Sequence, residues 1–319
     1  NIIRVQNFKV ALKSYFKIDN VIFHNSIVYF SNLLPHYKKD SFNDKFLSIH
    51  KFNNNKKKIY LFIFKFLKIN KFITIDDYRE IQNFINICDK LKIYSICYMH
   101  SRFSKYRVSL KYNNFNIYIV WSNFFKKKLL EINPNYKNKV YVCNFKKIKF
   151  QKNIIKNSQI KILYFLDTLM DSKSVIPYLD QIKDNKKINI FFKLKSNQND
   201  DKYFLNYLSK NNFPIVKSQN LENTVKEYKP NIFMATNSNA LLESYIYNCF
   251  PIILKTKNDY SFDLIYENLV DCCPTSKNFC NYLLKLRPKN NFKYKMFKKI
   301  WGASKKQKKL KNILIKHNF

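Results

Sequence analysis

Residues 230–254, PNIFMATNSNALLESYIYNCFPIIL, combine the signals of a strand, a polar loop, a helix and a second strand. The apolar runs at 232–234 and 251–254 are typical of strands, and residues 240–247 between them have helical character. A strand, a helix and a further strand in this order form the crossover connection of a parallel sheet. In open α/β sheets, ligands bind beside the loop that joins the carboxyl end of a strand to the next helix. The stretch therefore predicts a parallel sheet with a ligand site at loop 236–239.

Strand-like and helical patterns also alternate along much of the remaining chain, which indicates parallel sheets. The alternation lapses over the basic residues 144–159, which we interpret as a connection between domains. The sequence thus predicts an α/β fold of two Rossmann-like domains facing each other across a cleft, at 1–150 and 151–290, and a basic helical tail at 291–319. The strand-like runs lie at residues 59–64, 72–75, 93–98, 117–120, 140–143, 160–166, 188–194 and 214–216.

The formal net charge of +38 raises the question of a nucleic-acid partner. Only five of the 59 basic residues are arginine, and arginine is the usual ligand of base edges and the usual bidentate ligand of phosphate. We therefore attribute the charge mainly to a lysine-rich composition and expect no nucleic-acid partner. A basic surface still favours anionic partners such as nucleotides, lipid head groups and acidic glycans.

Seven cysteines form no C-x-x-C pair, and most lie in apolar runs, as is typical of reduced core cysteines in a cytosolic protein. The five histidines have no metal-ligand spacing, so we expect no metal site. No stretch reaches 18 uncharged apolar residues, and no signal peptide is recognisable. These features predict a cytoplasmic protein, with peripheral attachment to the inner face of a membrane through the basic tail as an alternative.

Three residues of the second domain are candidates for binding a ligand. Helix starts attract phosphate through free N–H groups, and either Ser238 or Asn239 can cap the helix that follows the loop. Glu243 lies four residues after Asn239 and five after Ser238, so it does not have the spacing of a capping box. Its neighbours are apolar, and a buried carboxylate requires a partner, which is either a pair of ribose hydroxyls or a lysine.

Polar residues also follow two predicted strands of the first domain. Asp76 comes after one strand and His100 after another, and the carboxyl ends of parallel strands build the site of such a sheet. His100 is suited to deprotonating a hydroxyl because imidazole titrates near neutrality, and Asp76 is the rival base. Arg102 and Arg107 can bind an acidic acceptor or a leaving phosphate.

Roughly residues 70–270 resemble GT-B-type glycosyltransferases, in particular those of bacterial surface and capsular polysaccharide biosynthesis. The resemblance implies that Ser238, Asn239 and Glu243 hold a nucleotide sugar. Lys195 matches the lysine of a Lys-Pro-His-Pro-like segment that faces the donor, so it is expected either to contact phosphate or simply to be solvated.

In the first domain, the resemblance rests on a histidine that follows a strand. The related enzymes have a His-Gly step at this place, whereas here His100 is followed by Ser101, so only the histidine is carried over. The resemblance implies that His100 is the general base and that the first domain binds the acceptor.

The function implied is transfer of a sugar from a nucleotide-sugar donor to a hydroxyl of a glycan or lipid-linked acceptor, with inversion. The sequence has no Asp-x-Asp motif, so the expected mechanism uses no metal or other cofactor. A nucleotide-sugar epimerase and a polyol-phosphate transferase are alternatives on the same fold. A non-enzymatic basic protein that binds nucleic acid or a membrane surface is an alternative of a different class.

Overall fold

The chain divides into two compact units. The first comprises residues 1–147 and 303–319, and the second comprises residues 148–302. Among the described helices, none has the length and apolar character needed to cross a bilayer. A computed structural model describes residues 21–23, 54–66, 68–74, 81–99, 103, 108–143, 150, 159–166, 169–194, 201–216, 220–236, 238–255, 267–273, 275–286, 290–302 and 313.

The first unit is built on a parallel sheet whose described strands lie side by side in chain order. Helices connect the strands, as expected for parallel pairing. The strands are β1 (Val21–Phe23), β2 (Lys71–Thr74), β3 (Tyr94–Tyr98), β4 (Ile117–Val120) and β5 (Val140–Val142). The helices are α1 (Asn54–Phe66), α2 (Ile81–Lys90), α3 (Val108–Tyr112) and α4 (Asn123–Ile132).

The strand predicted at residues 59–64 is wrong, because these residues lie within α1. Tyr60 and Phe64, which are four residues apart, are buried on one side of this helix. Their rings contact Phe84 of α2, with centroids 5.1 Å and 6.4 Å away. Aromatic and β-branched residues also occupy the other sides of α1, so the helical period is hidden in the sequence.

The second unit is also built on a parallel sheet, with the strand order β10-β9-β8-β6-β7. Ile215 adds a parallel bridge to Phe192 of β7. If Ile215 is counted as a strand, the order along the sheet becomes 3-2-1-4-5-6 in chain order, which is the Rossmann arrangement. The strands are β6 (Ile160–Phe165), β7 (Ile188–Lys193), β8 (Ile232–Ala235), β9 (Phe250–Leu254) and β10 (Asp271–Cys273).

The helices of the second unit pack an apolar core against this sheet. The predicted helix at 240–247 forms, but only its first turn is α-helical, and a 3-10 helix continues over Ser244–Tyr247. The helices are α5 (Leu169–Leu179), α6 (Lys202–Lys210), α7 (Leu221–Tyr228), α8 (Ala240–Glu243), α9 (Phe279–Lys285) and α10 (Asn290–Trp301).

Helix α10 begins at the predicted boundary of the basic tail and packs on the second unit. The indole N–H of Trp301 donates a hydrogen bond of 2.8 Å to the carbonyl of Leu242. The ammonium group of Lys293 donates to the carbonyl of Asn248 at 3.0 Å. These contacts hold α10 against the segment that follows β8.

Several helices and turns end in a left-handed residue that is not glycine. The chain contains one glycine, so lysine and asparagine take the positions where glycine is usual. The described residues of this kind are Lys68, Lys92, Asn212, Lys229, Asn248 and Asn268.

Candidate functional site

The strand order of the second sheet reverses between β6 and β8. These two strands are hydrogen-bonded neighbours, and the chain leaves both at the same edge of the sheet. In open α/β sheets, ligands bind outside the carboxyl ends of the strands at such a switch point. Loop 236–239 follows β8, so it lies where the sequence predicts a ligand site.

Ser238 and Asn239 lead into α8 through local hydrogen bonds. The hydroxyl oxygen of Ser238 accepts from the backbone N–H of Ala240 at 3.3 Å, whereas the Asn239 side chain makes no capping bond. The carbonyls of Ser238 and Asn239 accept from the N–H groups of Leu241 and Leu242. Ser238 therefore has the capping role that the sequence left open between the two residues.

Glu243 ends α8 with only 6% of its surface exposed. Its neighbours Leu241, Leu242 and Tyr245 are buried, which confirms the apolar setting predicted from the sequence. A carboxylate in such a setting is costly unless hydrogen bonds or a cation compensate it. Because Glu243 is buried, it is the strongest candidate among the residues predicted to bind the nucleotide sugar.

The segment that carries Glu243 is held from several sides. Trp301 donates to the carbonyl of Leu242, and the Ser244 hydroxyl donates to the carbonyl of Leu241 at 2.7 Å. The phenol of Tyr245 donates to the carbonyl of Leu269, just before β10. A backbone fixed in this way can hold a binding side chain in one position.

Two residues at the same edge of the sheet were not predicted from the sequence. Thr236 follows β8 directly and is buried, although its side chain is polar. Lys193 ends β7, where it is in register with Phe165 of β6, and burial lowers its pKa. An anionic ligand nearby would favour the charged form of this lysine.

The strand pattern contained a signal for Lys193. Ile188, Ile190 and Phe192 alternate as buried residues along β7, which puts Lys193 on the opposite, half-buried face. The sequence prediction instead chose Lys195, which lies outside the described residues.

The first-unit candidates Asp76, His100, Arg102 and Arg107 also lie outside the described residues. The strands that precede the first two are described. β2 and β3 are parallel neighbours, with Thr74 opposite Cys97. Their carboxyl ends therefore lie at one edge of the sheet, as the sequence analysis requires for these candidates.

Two open depressions lie in the described part of the chain. One, of about 450 Å³, lies on α4 of the first unit. The other, of about 470 Å³, lies at the amino end of β7, opposite the strand end where the switch-point loop begins. Within the described part of the chain, His, Cys, Asp and Glu residues form no group of three or more that could hold a metal ion.

No protein-family model matches the sequence, and no curated protein matches it. The structure, in contrast, is similar to solved enzymes. A UDP-GlcNAc 2-epimerase from Neisseria meningitidis bound to UDP-GlcNAc has a TM-score of 0.54 at 13% identity, covering 89% of this chain and 84% of that one. MurG from Acinetobacter baumannii has a TM-score of 0.53 at 12% identity, covering 95% and 91%.

A third similar structure is the UDP-GlcNAc 2-epimerase of Methanocaldococcus jannaschii, with a TM-score of 0.50, 15% identity and 90% coverage of both chains. All three are GT-B-fold enzymes with two Rossmann-like domains. At such low identity the likeness shows the fold, and it confirms the predicted class of two Rossmann-like units. The chain therefore has a GT-B-like fold built from two Rossmann-like units.

Proposed function

We propose that this chain is an enzyme that binds a nucleotide sugar on its second unit. The observation that carries the proposal is the buried Glu243, which ends the helix that begins at the switch point. One of the similar structures holds UDP-GlcNAc, which makes a UDP-sugar the first ligand to test.

The donor-side residues have distinct roles in this proposal. Glu243 accepts hydrogen bonds from the ribose hydroxyls. The loop residues Ser238 and Asn239 contact the phosphates, and Lys193 and Lys195 neutralise them. Positive protein groups then stabilise the departing diphosphate without a metal or another cofactor.

The first candidate activity is glycosyl transfer. An acceptor hydroxyl oxygen attacks the anomeric carbon, a new C–O bond forms, and the bond to the nucleoside diphosphate breaks with inversion. His100 or Asp76 takes the hydroxyl proton, and Arg102 and Arg107 bind an acidic acceptor. The acceptor in this proposal is a glycan or a lipid-linked sugar of surface polysaccharide biosynthesis.

The second candidate activity is epimerisation of the nucleotide sugar. Two of the similar structures are UDP-GlcNAc 2-epimerases, so this activity has as much support from the fold as transfer has. It would use the same nucleotide site and require no acceptor.

The binding test is titration of the full chain with UDP-, GDP- and CMP-sugars. We expect binding of at least one nucleotide, weakened about 10- to 100-fold by Glu243→Gln, because a hydrogen bond to a charged group contributes about 1.5–3 kcal/mol. Glu222→Gln is the matched control, since Glu222 is a half-exposed residue of α7 that pairs with Lys226 at 3.0 Å. Absence of binding by every nucleotide contradicts the proposal.

Product analysis separates the two activities. Incubation with UDP-GlcNAc alone yields the C2 epimer if the chain is an epimerase. A transferase releases UDP only when an acceptor is added. If the chain binds a nucleotide but forms neither product with any acceptor of a wide panel, it is a binding protein. That result would contradict an enzymatic function.

A further inference from the structure

Helix α1 is apolar on more than one side. Its inner side, with Tyr60 and Phe64, is buried against α2 and β2. Its outer side carries Ile59, Phe62 and Phe66, which are 44%, 68% and 72% exposed. Their spacing of three and then four residues puts them on one helical face, which we call the outer stripe.

The outer stripe is unusual for a surface helix of a globular protein, which normally has a polar face toward solvent. The rings of Phe62 and Phe66 stack on each other, with centroids 5.9 Å apart, but both remain largely exposed. A contiguous exposed apolar patch of this kind marks an interaction site.

The charges around the outer stripe indicate what covers it. Lys58 and Lys65 are exposed on α1, and Lys68, two residues after the end of the helix, is also exposed. The sequence of α1 contains four lysines and no acidic residue. Lys90 at the end of α2, which packs on α1, and Lys92 just after it are also exposed.

This positive charge disfavours a second copy of the chain as the partner that covers the outer stripe. Two copies that meet through the outer stripe would bring the lysines of both helices together, and each chain has a net charge of +38. An anionic surface with an apolar interior complements both features, because it accepts the aromatic rings and attracts the lysines.

We propose that α1 docks this protein on an anionic membrane. The outer stripe enters the boundary between head groups and acyl chains, while Lys58, Lys65 and Lys68 lie at the lipid phosphates. The site is separate from the predicted basic tail at 291–319, and the inference does not depend on nucleotide binding.

The test is co-sedimentation of the full chain with vesicles, using equal parts of phosphatidylcholine and phosphatidylglycerol, or phosphatidylcholine alone. We expect binding to the mixed vesicles and much weaker binding to the neutral ones. Phe62→Ser combined with Phe66→Ser should weaken binding to the mixed vesicles about tenfold or more, because two aromatic side chains no longer leave water. This variant keeps every charge, so attraction by net charge alone predicts no change.

Lysine variants test the electrostatic part. Lys58→Gln with Lys65→Gln should weaken binding, while Lys202→Gln with Lys210→Gln, the same charge change on exposed positions of α6, should have a much smaller effect. Tyr203→Ser is the control for loss of an exposed aromatic, since Tyr203 is 62% exposed on the second unit.

Three results would overturn the proposal. One is equal membrane binding by the wild type and the Phe62→Ser, Phe66→Ser variant when both have the same circular dichroism spectrum. Another is failure of the wild type to bind the mixed vesicles. The third is a dimer in analytical ultracentrifugation that becomes a monomer in the variant, which would assign the outer stripe to a second copy.

Discussion

Single residues that close helices in the left-handed region show how this chain folds with one glycine. Lys92 closes α2, where the N–H of Ile93 donates to the carbonyl of Cys88 at 2.8 Å. The left-handed conformation is unfavourable for a side chain with a Cβ. We predict that Lys92→Gly raises the free energy of unfolding by about 0.5–1 kcal/mol, measured by urea denaturation.

The control for this prediction is a glycine in an ordinary helical position. Lys127 is exposed in the interior of α4, so Lys127→Gly should lower the free energy of unfolding by about 0.5–1 kcal/mol. If Lys92→Gly is destabilising to the same degree, the strain assigned to Lys92 is absent.

Gly302 is the opposite case, because the structure leaves no room for a side chain at this position. A Cβ at this position would lie 2.2 Å from the carbonyl oxygen of Lys298. We predict that Gly302→Ala lowers the free energy of unfolding by about 1–3 kcal/mol, since backbone must move to relieve the contact. An alanine variant with wild-type stability in urea would show that the end of α10 relaxes without cost.

At the scale of elements, α10 supports the segment that carries Glu243. Trp301→Phe removes the hydrogen bond to the carbonyl of Leu242 and leaves that buried oxygen without this donor, at a cost of about 1–3 kcal/mol. We predict faster hydrogen exchange over residues 238–247 and weaker nucleotide binding. Unchanged exchange in this segment would contradict a supporting role for α10.

We predict that the contact between α5 and the end of β9 weakens at alkaline pH. Burial, with a smaller effect of Cys273 and Cys272, raises the pKa of Tyr178 to about 12, and its phenol donates to the carbonyl of Lys255 at 2.6 Å. A raised folded-state pKa contributes stability that is present below about pH 10 and is lost as the pH rises toward 12.

Between about pH 9 and pH 11, the free energy of unfolding should therefore fall less for Tyr178→Phe than for the wild type, as measured by urea denaturation at each pH. Tyr112→Phe serves as the control, because Tyr112 is exposed on α3. Parallel stability curves for the wild type and Tyr178→Phe would contradict the assignment.

How well an element could be predicted depended on whether its signals were local. Helix α7 has such local signals, because the Asn220 side chain accepts from the N–H of Glu222 and Lys229 closes the helix. Helix α1 was mistaken for a strand because its apolar residues continue past the core onto the outer stripe. No pattern within one helix can tell an apolar face against the core from an apolar face toward solvent.

The candidate site could be predicted only in part, because some of its features depend on residues nearby in the sequence and others on residues that are distant. The burial of Glu243 follows from its apolar neighbours, which are local. The position of Lys193 beside the switch point depends on strand pairing between β6 and β7, which the sequence does not contain. Asp76, His100, Arg102, Arg107 and Lys195 remain predictions, because they lie outside the described residues.

For the whole molecule, the alternation of strands and helices in two series was sufficient to predict two Rossmann-like units. The strand order within the second sheet came only from the structure, because pairing partners are distant in sequence. The similar structures include both UDP-GlcNAc 2-epimerases and MurG, so fold alone does not choose between the two candidate activities.

The central claim is that a nucleotide sugar binds at the switch point of the second unit. Hydrogen exchange of the full chain with and without saturating UDP-GlcNAc tests it most directly. We predict slower exchange over residues 236–247, with α7 at Leu221–Tyr228 unchanged. Unchanged exchange over 236–247 in the presence of bound nucleotide, or protection confined to the first unit, would contradict the claim.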